Sequence, residues 1–323
     1  MHPLIALPYA AIGAAATVAS HLPLPGDGKA IRALRARRGL LARFEAWGAE
    51  QRDPARPLLW MHAPSVGEGL QARPVVKLLR ARHPEWQVVY TYFSPSAERF
   101  AASIGADVAD YLPFDTMRNA ERLLAALRPS AIVFAKLDLW PHLAERAARH
   151  GVPLGMIAAT LAEGSGRRGP LARALLGDAY AALSAVGTIA DDDGARLVQL
   201  GVPSARIVLT GDTRYDQVHA RAAGADRSST LLAPLASPRP TLVAGSTWPA
   251  DESPLRAAWR EVRRDAPDAR LIIAPHEPDR AHLDPIRAWA REDGLSLATL
   301  GDADASHDLV LVDRVGEIGR AHV

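Results

Sequence analysis

The chain has 323 residues, 48% of them hydrophobic, with a formal net charge of +2 and no cysteine. This length suits two domains of ordinary size, and the apolar content suffices for substantial cores. The absence of cysteine excludes a disulfide framework and any thiolate metal site.

The chain begins with an apolar segment and a basic block. Residues 3–26 contain no charged side chain. Residues 4–20 are rich in alanine, so the stretch is borderline for the roughly 20 strongly apolar residues of a membrane span. Basic residues beside such a segment hold that flank on the cytoplasmic side and attract anionic lipid. The basic block comprises Lys29, Arg32, Arg35, Arg37, Arg38 and Arg43.

Three interpretations of residues 1–26 are open: a membrane anchor or monotopic helix, a soluble terminal helix, and a cleaved signal peptide. The signal peptide is disfavoured because the basic residues follow the apolar stretch instead of preceding it. An arginine cluster can also bind nucleic acid, but no interleaved aromatic residues or nucleic-acid motif accompany this one. We therefore expect a membrane-associated segment, with the basic block on the lipid surface and no nucleic-acid partner.

After residue 45, short apolar runs alternate with longer amphipathic stretches. The pattern predicts strands over 57–63, 87–93, 108–112, 131–135, 152–158, 185–190 and 206–210. It predicts helices over 66–82, 95–104, 117–127, 139–149, 170–181 and 192–200. Such alternation is typical of a doubly wound parallel sheet, so we expect a first domain over residues 27–221.

Residues 222–240 interrupt this pattern. They contain three serines and three prolines, which predicts an interdomain linker. A second α/β pattern follows, with strands predicted over 241–245, 270–275 and 308–312 and helices over 251–264 and 279–291. This second domain, residues 241–323, ends soon after a strand, so we expect it to be incomplete.

The segment HAPSVGEG, residues 62–69, joins a predicted strand to a predicted helix. A strand that turns through small residues into a helix is the usual ligand site of an α/β sheet, and the helix N-terminus favours anions. The turn places Glu68 in the first turn of that helix. Two roles are open for this residue: Ser65 and Glu68 fit a capping box, and a carboxylate there can also act as a base on a substrate.

Six motifs, in the same order, resemble those of the Kdo transferases, the family that attaches 3-deoxy-D-manno-octulosonic acid (Kdo) to lipid A precursor. They are HAPSVGEG at 62–69, KLDLWP at 136–141, GDTRYD at 211–216, GST at 245–247, APHEP at 274–278 and VGE at 315–317. The resemblance implies the α/β GT-B glycosyltransferase fold, with two Rossmann-like domains. The first domain would bind the acceptor, and the second, partial in this chain, would bind the donor.

The resemblance also implies a reaction: inverting transfer of Kdo from CMP-Kdo to a lipid A precursor at the cytoplasmic face of the inner membrane, with no metal and no cofactor. Glu68 is then the expected base. Asp138 is expected to support catalysis, and its alternative role is a helix N-cap. The other expected contacts are Ser65, Gly67 and Lys136 on the acceptor or phosphate side, and Ser246, Thr247, His276 and Arg214 on the donor side.

Three residues depart from the family's motifs. Asp138 stands in place of glutamate, Arg214 in place of lysine and Trp248 in place of histidine, so the chain resembles a divergent branch. Two alternatives to Kdo transfer are therefore open. One is another GT-B enzyme that acts on a different nucleotide sugar, and the other is a catalytically incomplete fragment that binds a lipid surface.

Overall fold

The computed structural model describes residues 3–23, 25–26, 28–226 and 228–314, without the side chains of Pro3, Lys29 and Arg221. The chain divides into two compact units, Met1–Gln217 and Val218–Val323. This boundary lies before the predicted linker, residues 222–240.

The first unit starts with three helices, α1 (Pro3–His21), α2 (Lys29–Ala36) and α3 (Leu40–Glu50). Strands and helices then alternate: β1 (Leu58–His62), α4 (Val66–Arg82), β2 (Gln87–Tyr92), α5 (Glu98–Ala101), β3 (Val108–Tyr111), α6 (Met117–Leu127), β4 (Ala131–Ala135), α7 (Pro141–Arg149), β5 (Leu154–Ala159), α8 (Pro170–Ala181), β6 (Ala185–Thr188), α9 (Asp191–Val198) and β7 (Ile207–Leu209). Helix α10 (Arg214–Ala223) crosses the boundary between the units.

The seven strands of the first unit form one parallel sheet in the order β3-β2-β1-β4-β5-β6-β7. The strand order changes direction between β1 and β4, so this pair is the topological switch point of the sheet. Connections from the carboxyl ends of such a pair leave to opposite sides, which opens the crevice where α/β proteins bind ligands. The doubly wound parallel sheet predicted for this part of the chain is confirmed.

The core of the first unit explains why its strands are short apolar runs. Every residue of β1 and of β2 is buried, because a parallel sheet is covered on both faces. Trp60 and Phe134 are fully buried on the neighbouring strands β1 and β4. This packing makes the ends of β1 and β4 a rigid support for the side chains that follow them.

Local signals predicted some element boundaries and missed others. Helices α4, α6 and α8 have the predicted bounds. The helix predicted over 139–149 begins instead at Pro141, which occupies the first helical position after the N-cap Trp140. Residues 95–104 form a 3-10 turn and the short α5. Helices α2 and α3 were not predicted, because the basic block was interpreted only as a lipid-facing surface.

The second unit is a smaller α/β unit. Its elements are β8 (Thr241–Thr247), α11 (Pro249–Asp265), β9 (Arg270–Pro275), α12 (Arg280–Glu292), β10 (Leu297–Thr299) and β11 (Leu309–Leu311). The four strands are parallel in the order β10-β11-β9-β8. Leu235, from the predicted linker, packs with Ile272 and Val310 in the core of this unit. The linker prediction is therefore wrong at Leu235. Although the segment around it is polar, burial of this apolar side chain against the strands of the second unit is favourable.

Candidate active site

Side chains from the β1–α4 and β4–α7 connections meet at the switch point of the first sheet. Lys136 Nζ donates a hydrogen bond of 3.0 Å to Glu68 Oε1, and the Ser65 hydroxyl donates to Glu68 Oε2. Because β1 and β4 are neighbouring parallel strands, their connections start at the same edge of the sheet. The structure thus brings together three of the residues predicted from the sequence.

Ser65 caps helix α4, but Glu68 does not complete the capping box. Ser65 Oγ accepts from Gly67 N at 3.2 Å, whereas the Glu68 carboxylate lies against the Ser65 hydroxyl and Lys136. Gly67 is exposed, and a Cβ built on it would meet only Ser65 Oγ, at 3.7 Å, among the residues described. The first turn of α4 is therefore open to an incoming group.

The environment of Glu68 keeps its carboxylate ionised. Its side chain is 15% exposed, and burial raises the pKa of Glu68. The hydrogen bonds from Ser65 and Lys136 outweigh burial, so the pKa lies below its usual range. Lys136 itself has φ +59°, a left-handed conformation that is uncommon for a residue other than glycine. At neutral pH the site holds a partly exposed carboxylate that can accept a proton.

Asp138 lies beside the same switch point but is not a helix cap. Its Oδ2 accepts hydrogen bonds from His62 Nε2 at 3.1 Å and from Trp140 Nε1 at 3.2 Å, and its side chain is 27% exposed. Burial raises the pKa of Asp138, but the hydrogen bond from His62 and the charge of Arg167 lower it below the usual range. The predicted N-cap alternative is therefore wrong, since Trp140 occupies that position.

His62 is a site residue that the sequence analysis did not single out. It is the last residue of β1, it is fully buried, and both ring nitrogens are hydrogen-bonded, to Thr91 and to Asp138. A polar side chain at the carboxyl end of a continuous apolar strand was the signal that could have found it, because buried polar groups need specific partners.

Two of the predicted donor-side residues come together in the second unit. Ser246 Oγ and His276 Nδ1 are 2.7 Å apart, at the ends of the neighbouring strands β8 and β9. The Trp248 ring lies against His276, with centroids 4.6 Å apart at 32°. His276 and Trp248 are exposed, so this group offers a polar edge and an aromatic face to a ligand.

Thr247 differs from its prediction as a donor contact. Its side chain is buried, and its hydroxyl donates to Glu252 Oε1 at 3.0 Å. Asp251, at the third position of α11, accepts from Trp248 N at 2.9 Å. Two acidic side chains therefore occupy the first turn of α11, where they already use the positive end of the helix dipole.

Arg214 lies in the first unit rather than with the other predicted donor contacts. Its Nε donates to Asp212 Oδ2 at 2.8 Å, and Asp212 Oδ1 also accepts from Gln71 Nε2 at 3.1 Å. The pair ties the start of α10 to α4, and the Arg214 side chain remains 55% exposed. The predicted VGE motif, residues 315–317, lies outside the described residues.

The described part of the second unit contains three potential metal-ligating side chains that lie close together. Ligand atoms of Glu277, Asp279 and His282 lie within 4.8 Å of one another. Asp279 is the N-cap of α12, because its Oδ1 accepts from His282 N at 3.0 Å. Helix capping explains this cluster, so we assign no metal to it.

Helix α1 is docked on the first unit by polar side chains and exposes apolar ones. Tyr9 donates a hydrogen bond of 2.8 Å to Asp115 Oδ2, and the backbone at Gly13 lies against Asp115. The exposed large apolar residues of α1 are Leu4, Leu7, Ile12 and Val18. The stretch Leu4–His21 has a mean hydropathy of 1.4 and is long enough to cross a membrane, which by itself is weak evidence for a span.

Arg37 does not belong to a lipid-facing surface. It is 4% exposed, its Nε donates to Leu112 O at 2.8 Å, and its guanidinium lies 4.2 Å from the Phe93 ring centroid. Burial lowers the pKa of Arg37 to about 10, so it stays charged and ties α2 to the sheet. Arg43 is exposed but pairs with Asp110 at 2.7 Å.

The basic side chains that remain exposed in α2 and the turn after it are Arg32, Arg35 and Arg38. Arg38 also donates to Leu22 O at 2.8 Å, close to the end of α1. The side chain of Lys29 lies outside the described part of the chain. Of the six basic residues predicted to face lipid, three described side chains therefore remain for such a surface: Arg32, Arg35 and Arg38.

Comparison with solved structures shows which known proteins share this fold. The chain is similar to UDP-GlcNAc 2-epimerase from Neisseria meningitidis bound to UDP-GlcNAc, with a TM-score of 0.58, 13% identity, and 82% of this chain and 74% of that chain covered. It is also similar to UDP-GlcNAc 2-epimerase from Methanocaldococcus jannaschii, with a TM-score of 0.56 and 12% identity over 82% and 75% of the two chains. At this identity the likeness shows the fold alone, and it confirms the predicted α/β GT-B class.

Comparison of sequences identifies the family. The chain is 28% identical over 293 residues to 3-deoxy-D-manno-octulosonic acid transferase of Bordetella pertussis, which covers 86% of this chain and 66% of that protein. It is 25% identical over 255 residues to the Haemophilus influenzae enzyme of the same name, covering 78% and 59%. The chain thus spans less than two thirds of the length of these relatives. The family model described as 3-deoxy-D-manno-octulosonic-acid transferase (kdotransferase) matches residues 32–217, more than half of the chain. The chain therefore belongs to the Kdo transferase family.

Proposed function

We propose that the protein transfers Kdo from CMP-Kdo to a hydroxyl of a lipid A precursor, with inversion at the anomeric carbon and with Glu68 as the general base. The observation that carries this proposal is the Glu68 carboxylate at the switch point, ionised and partly exposed beside Lys136. A sugar hydroxyl is a poor nucleophile, so a carboxylate within hydrogen-bond reach is the group that this reaction requires.

The proposed reaction is a single displacement at the anomeric carbon of Kdo. The acceptor oxygen forms a bond to the anomeric carbon of Kdo while the bond from that carbon to the CMP phosphate oxygen breaks. The hydroxyl proton passes to Glu68, and CMP leaves with the bonding electron pair. Lys136 keeps Glu68 ionised before the step, because the ion pair favours the charged form.

The second unit supplies the proposed donor contacts. Ser246 and His276 offer a hydroxyl and an imidazole, and Trp248 offers an aromatic face. The N-terminus of α11 is less suited to phosphate, because Asp251 and Glu252 already carry negative charge in its first turn. We therefore assign donor binding to Ser246 and His276 and not to the hydroxyl of Thr247.

We further propose that α1 lies on the cytoplasmic face of the inner membrane. Its exposed face is apolar, whereas Tyr9, which faces inward, holds the helix on the first unit. A helix with an apolar outer face beside basic residues binds at the membrane interface. The exposed Arg32, Arg35 and Arg38 would meet anionic headgroups, at roughly 1 kcal/mol for each charge near the surface.

The test is a transfer assay with the full-length protein, CMP-Kdo and a lipid A precursor. We expect a Kdo-bearing product, and we expect Glu68→Gln to lower kcat by about 10²–10⁴-fold, as for loss of a general base. Circular dichroism and thermal unfolding should show an intact fold in this variant. Turnover near the wild-type rate in Glu68→Gln would contradict the role of Glu68.

A donor-binding comparison separates the alternatives. Tighter binding of UDP than of CMP would indicate another GT-B enzyme. Liposome binding without turnover by the wild-type protein would indicate a fragment that binds only a lipid surface.

A further inference from the structure

A chain of hydrogen bonds joins strands β1 and β2 to the β4–α7 connection beside the proposed site. Trp60 Nε1 donates to Thr91 Oγ1 at 2.8 Å, and Thr91 Oγ1 lies 2.9 Å from His62 Nδ1. His62 Nε2 lies 3.1 Å from Asp138 Oδ2, and Trp140 Nε1 lies 3.2 Å from that oxygen and 3.1 Å from His62 Nε2. Trp60, His62 and Thr91 are fully buried, so each polar atom in the chain needs a partner inside the protein.

The pattern of donors and acceptors assigns the tautomer of His62. An ionised carboxylate can only accept, so the 3.1 Å contact of Asp138 Oδ2 with His62 Nε2 requires a proton on Nε2. The Trp140 indole N–H also lies close to both atoms, and it donates to the charged oxygen, which is the stronger acceptor. Thr91 Oγ1 accepts from Trp60 Nε1 and can donate to His62 Nδ1. The ring proton is then on Nε2, where it points at Asp138 Oδ2. The opposite tautomer would place the lone pair of Nε2 against a carboxylate oxygen, which is unfavourable.

This arrangement leaves the second oxygen of Asp138 free for a ligand. The hydrogen bonds to Asp138 in the described part of the chain all go to Oδ2, and the side chain is 27% exposed. Asp138 is two residues from Lys136, which holds Glu68. The unoccupied oxygen therefore belongs to the same β4–α7 connection as Lys136, the partner of the proposed base Glu68.

We propose that His62 is a positioning residue whose Nε2–H fixes Asp138, so that Asp138 Oδ1 accepts a hydrogen bond from a second hydroxyl of the sugar acceptor. A fixed carboxylate beside the base orients the acceptor, and correct orientation of a reactant lowers the barrier for its attack. The inference rests on the proposed function for the identity of the ligand. The tautomer of His62 and its bond to Asp138 do not depend on that function.

The first test is an NMR measurement of the full-length protein with ¹⁵N-labelled histidine. The His62 signal is assigned by its loss in His62→Gln and its shift in Asp138→Asn. We expect a proton on Nε2. A ring with a proton on Nδ1 and none on Nε2 would overturn the proposed arrangement, and this result is independent of any activity.

The second test compares two amide substitutions with different reach. His62→Gln places an N–H near the position of Nε2, whereas His62→Asn places it near Nδ1, too far from Asp138. Loss of a hydrogen bond to a charged group corresponds to about tenfold or more in binding. We therefore expect KM for the acceptor to rise about tenfold or more in His62→Asn and less than about threefold in His62→Gln, with KM for CMP-Kdo unchanged in both.

The outcomes separate this inference from the proposed function. Equal acceptor KM values for His62→Asn and the wild-type protein would overturn the positioning role of His62. If both variants lowered kcat and raised both KM values to the same extent, the role of His62 would be merely structural. That result would also overturn the positioning role. Absence of Kdo transfer by the wild-type protein would overturn the proposed function and the acceptor assignment, while the NMR result would still decide the His62–Asp138 bond.

Discussion

Lys136 Nζ donates a 3.0 Å hydrogen bond to Glu68 Oε1, although the two residues are 68 positions apart in the chain. The ion pair has two opposite effects on a base. It ensures that Glu68 is ionised at neutral pH, and it also makes the carboxylate a weaker proton acceptor by lowering its pKa. The acceptor hydroxyl must therefore compete with Lys136 for the Glu68 carboxylate. Because Lys136 lowers the pKa of Glu68, it also helps to set the lowest pH at which the enzyme is active.

The first prediction concerns that acidic limit. The pKa of Glu68 in the folded protein is below the ordinary value of 4.5, so its carboxylate becomes protonated, and inactive as a base, only as the pH falls through that lower pKa. Lys136→Met removes the ion pair, so the pKa of Glu68 rises from its value in the wild-type protein, although the hydrogen bond from Ser65 still lowers it against burial. We expect the acidic limb of the pH profile of kcat/KM to move to higher pH. Lys77→Met, on the exposed side of α4, is the control and should leave the profile in place.

The second prediction separates the two glycines of the HAPSVGEG motif. A Cβ at Gly69 would clash with the Phe100 ring and lie 2.9 Å from Tyr90 Oη. We expect Gly69→Ala to destabilise the protein by about 1–3 kcal/mol, measured by thermal unfolding. A Cβ at Gly67 makes only an ordinary contact with Ser65 Oγ, at 3.7 Å, so Gly67→Ala should not lower Tm, because alanine favours the helix.

The same pair of variants tests the assignment of Gly67 to the acceptor or phosphate side. Gly67→Ala should lower transfer activity without lowering Tm. Full activity in Gly67→Ala would remove Gly67 from the proposed site.

The third prediction concerns the docking of α1. Asp115 is buried and accepts from Tyr9 Oη, His142 N and Leu143 N. Tyr9→Phe removes one of these three donors, so we expect a loss of about 1–3 kcal/mol in stability. Limited proteolysis should cut near α1 faster in this variant. Tyr215→Phe is the matched control, because Tyr215 is 74% exposed, and equal proteolysis of the two variants would count against docking through Tyr9.

The fourth prediction concerns the donor. Ser246→Ala removes the hydroxyl that lies 2.7 Å from His276 Nδ1. One neutral hydrogen bond corresponds to about 0.5–1.5 kcal/mol, so KM for CMP-Kdo should rise about two- to tenfold while KM for the acceptor stays the same. Ser306→Ala, in an exposed turn of the same unit, should change neither value. An unchanged KM for CMP-Kdo in Ser246→Ala would exclude its hydroxyl from donor binding.

Much of the fold could be predicted from local patterns. Alternating apolar runs and amphipathic stretches predicted the parallel sheet, and the bounds of α4, α6 and α8 agree with those predicted. The sequence-based predictions that differ from the structure concern residues whose local sequence fits two different roles. Arg37 is basic, as a lipid-facing residue is, but aromatic rings and carbonyl oxygens in the sheet hold it inside the protein. Thr247 follows a strand, as a ligand contact does, but Glu252 uses its hydroxyl.

The candidate site was predicted in part. Glu68 was placed in the first turn of a helix because the strand, turn and helix that carry it are consecutive in the chain. His62 was missed because its partners are distant in the chain: Thr91 is in strand β2 and Asp138 is in the connection after β4.

The sequence by itself determined the elements, the class of sheet and the position of Glu68 at the start of α4, because these depend on residues within a few positions of one another. Only the tertiary structure decided that β4 lies beside β1 at the switch point. That adjacency places Lys136 against Glu68 and Asp138 against His62. Strand order sets the distance between residues far apart in the chain, and burial and charge at a site depend on those distances.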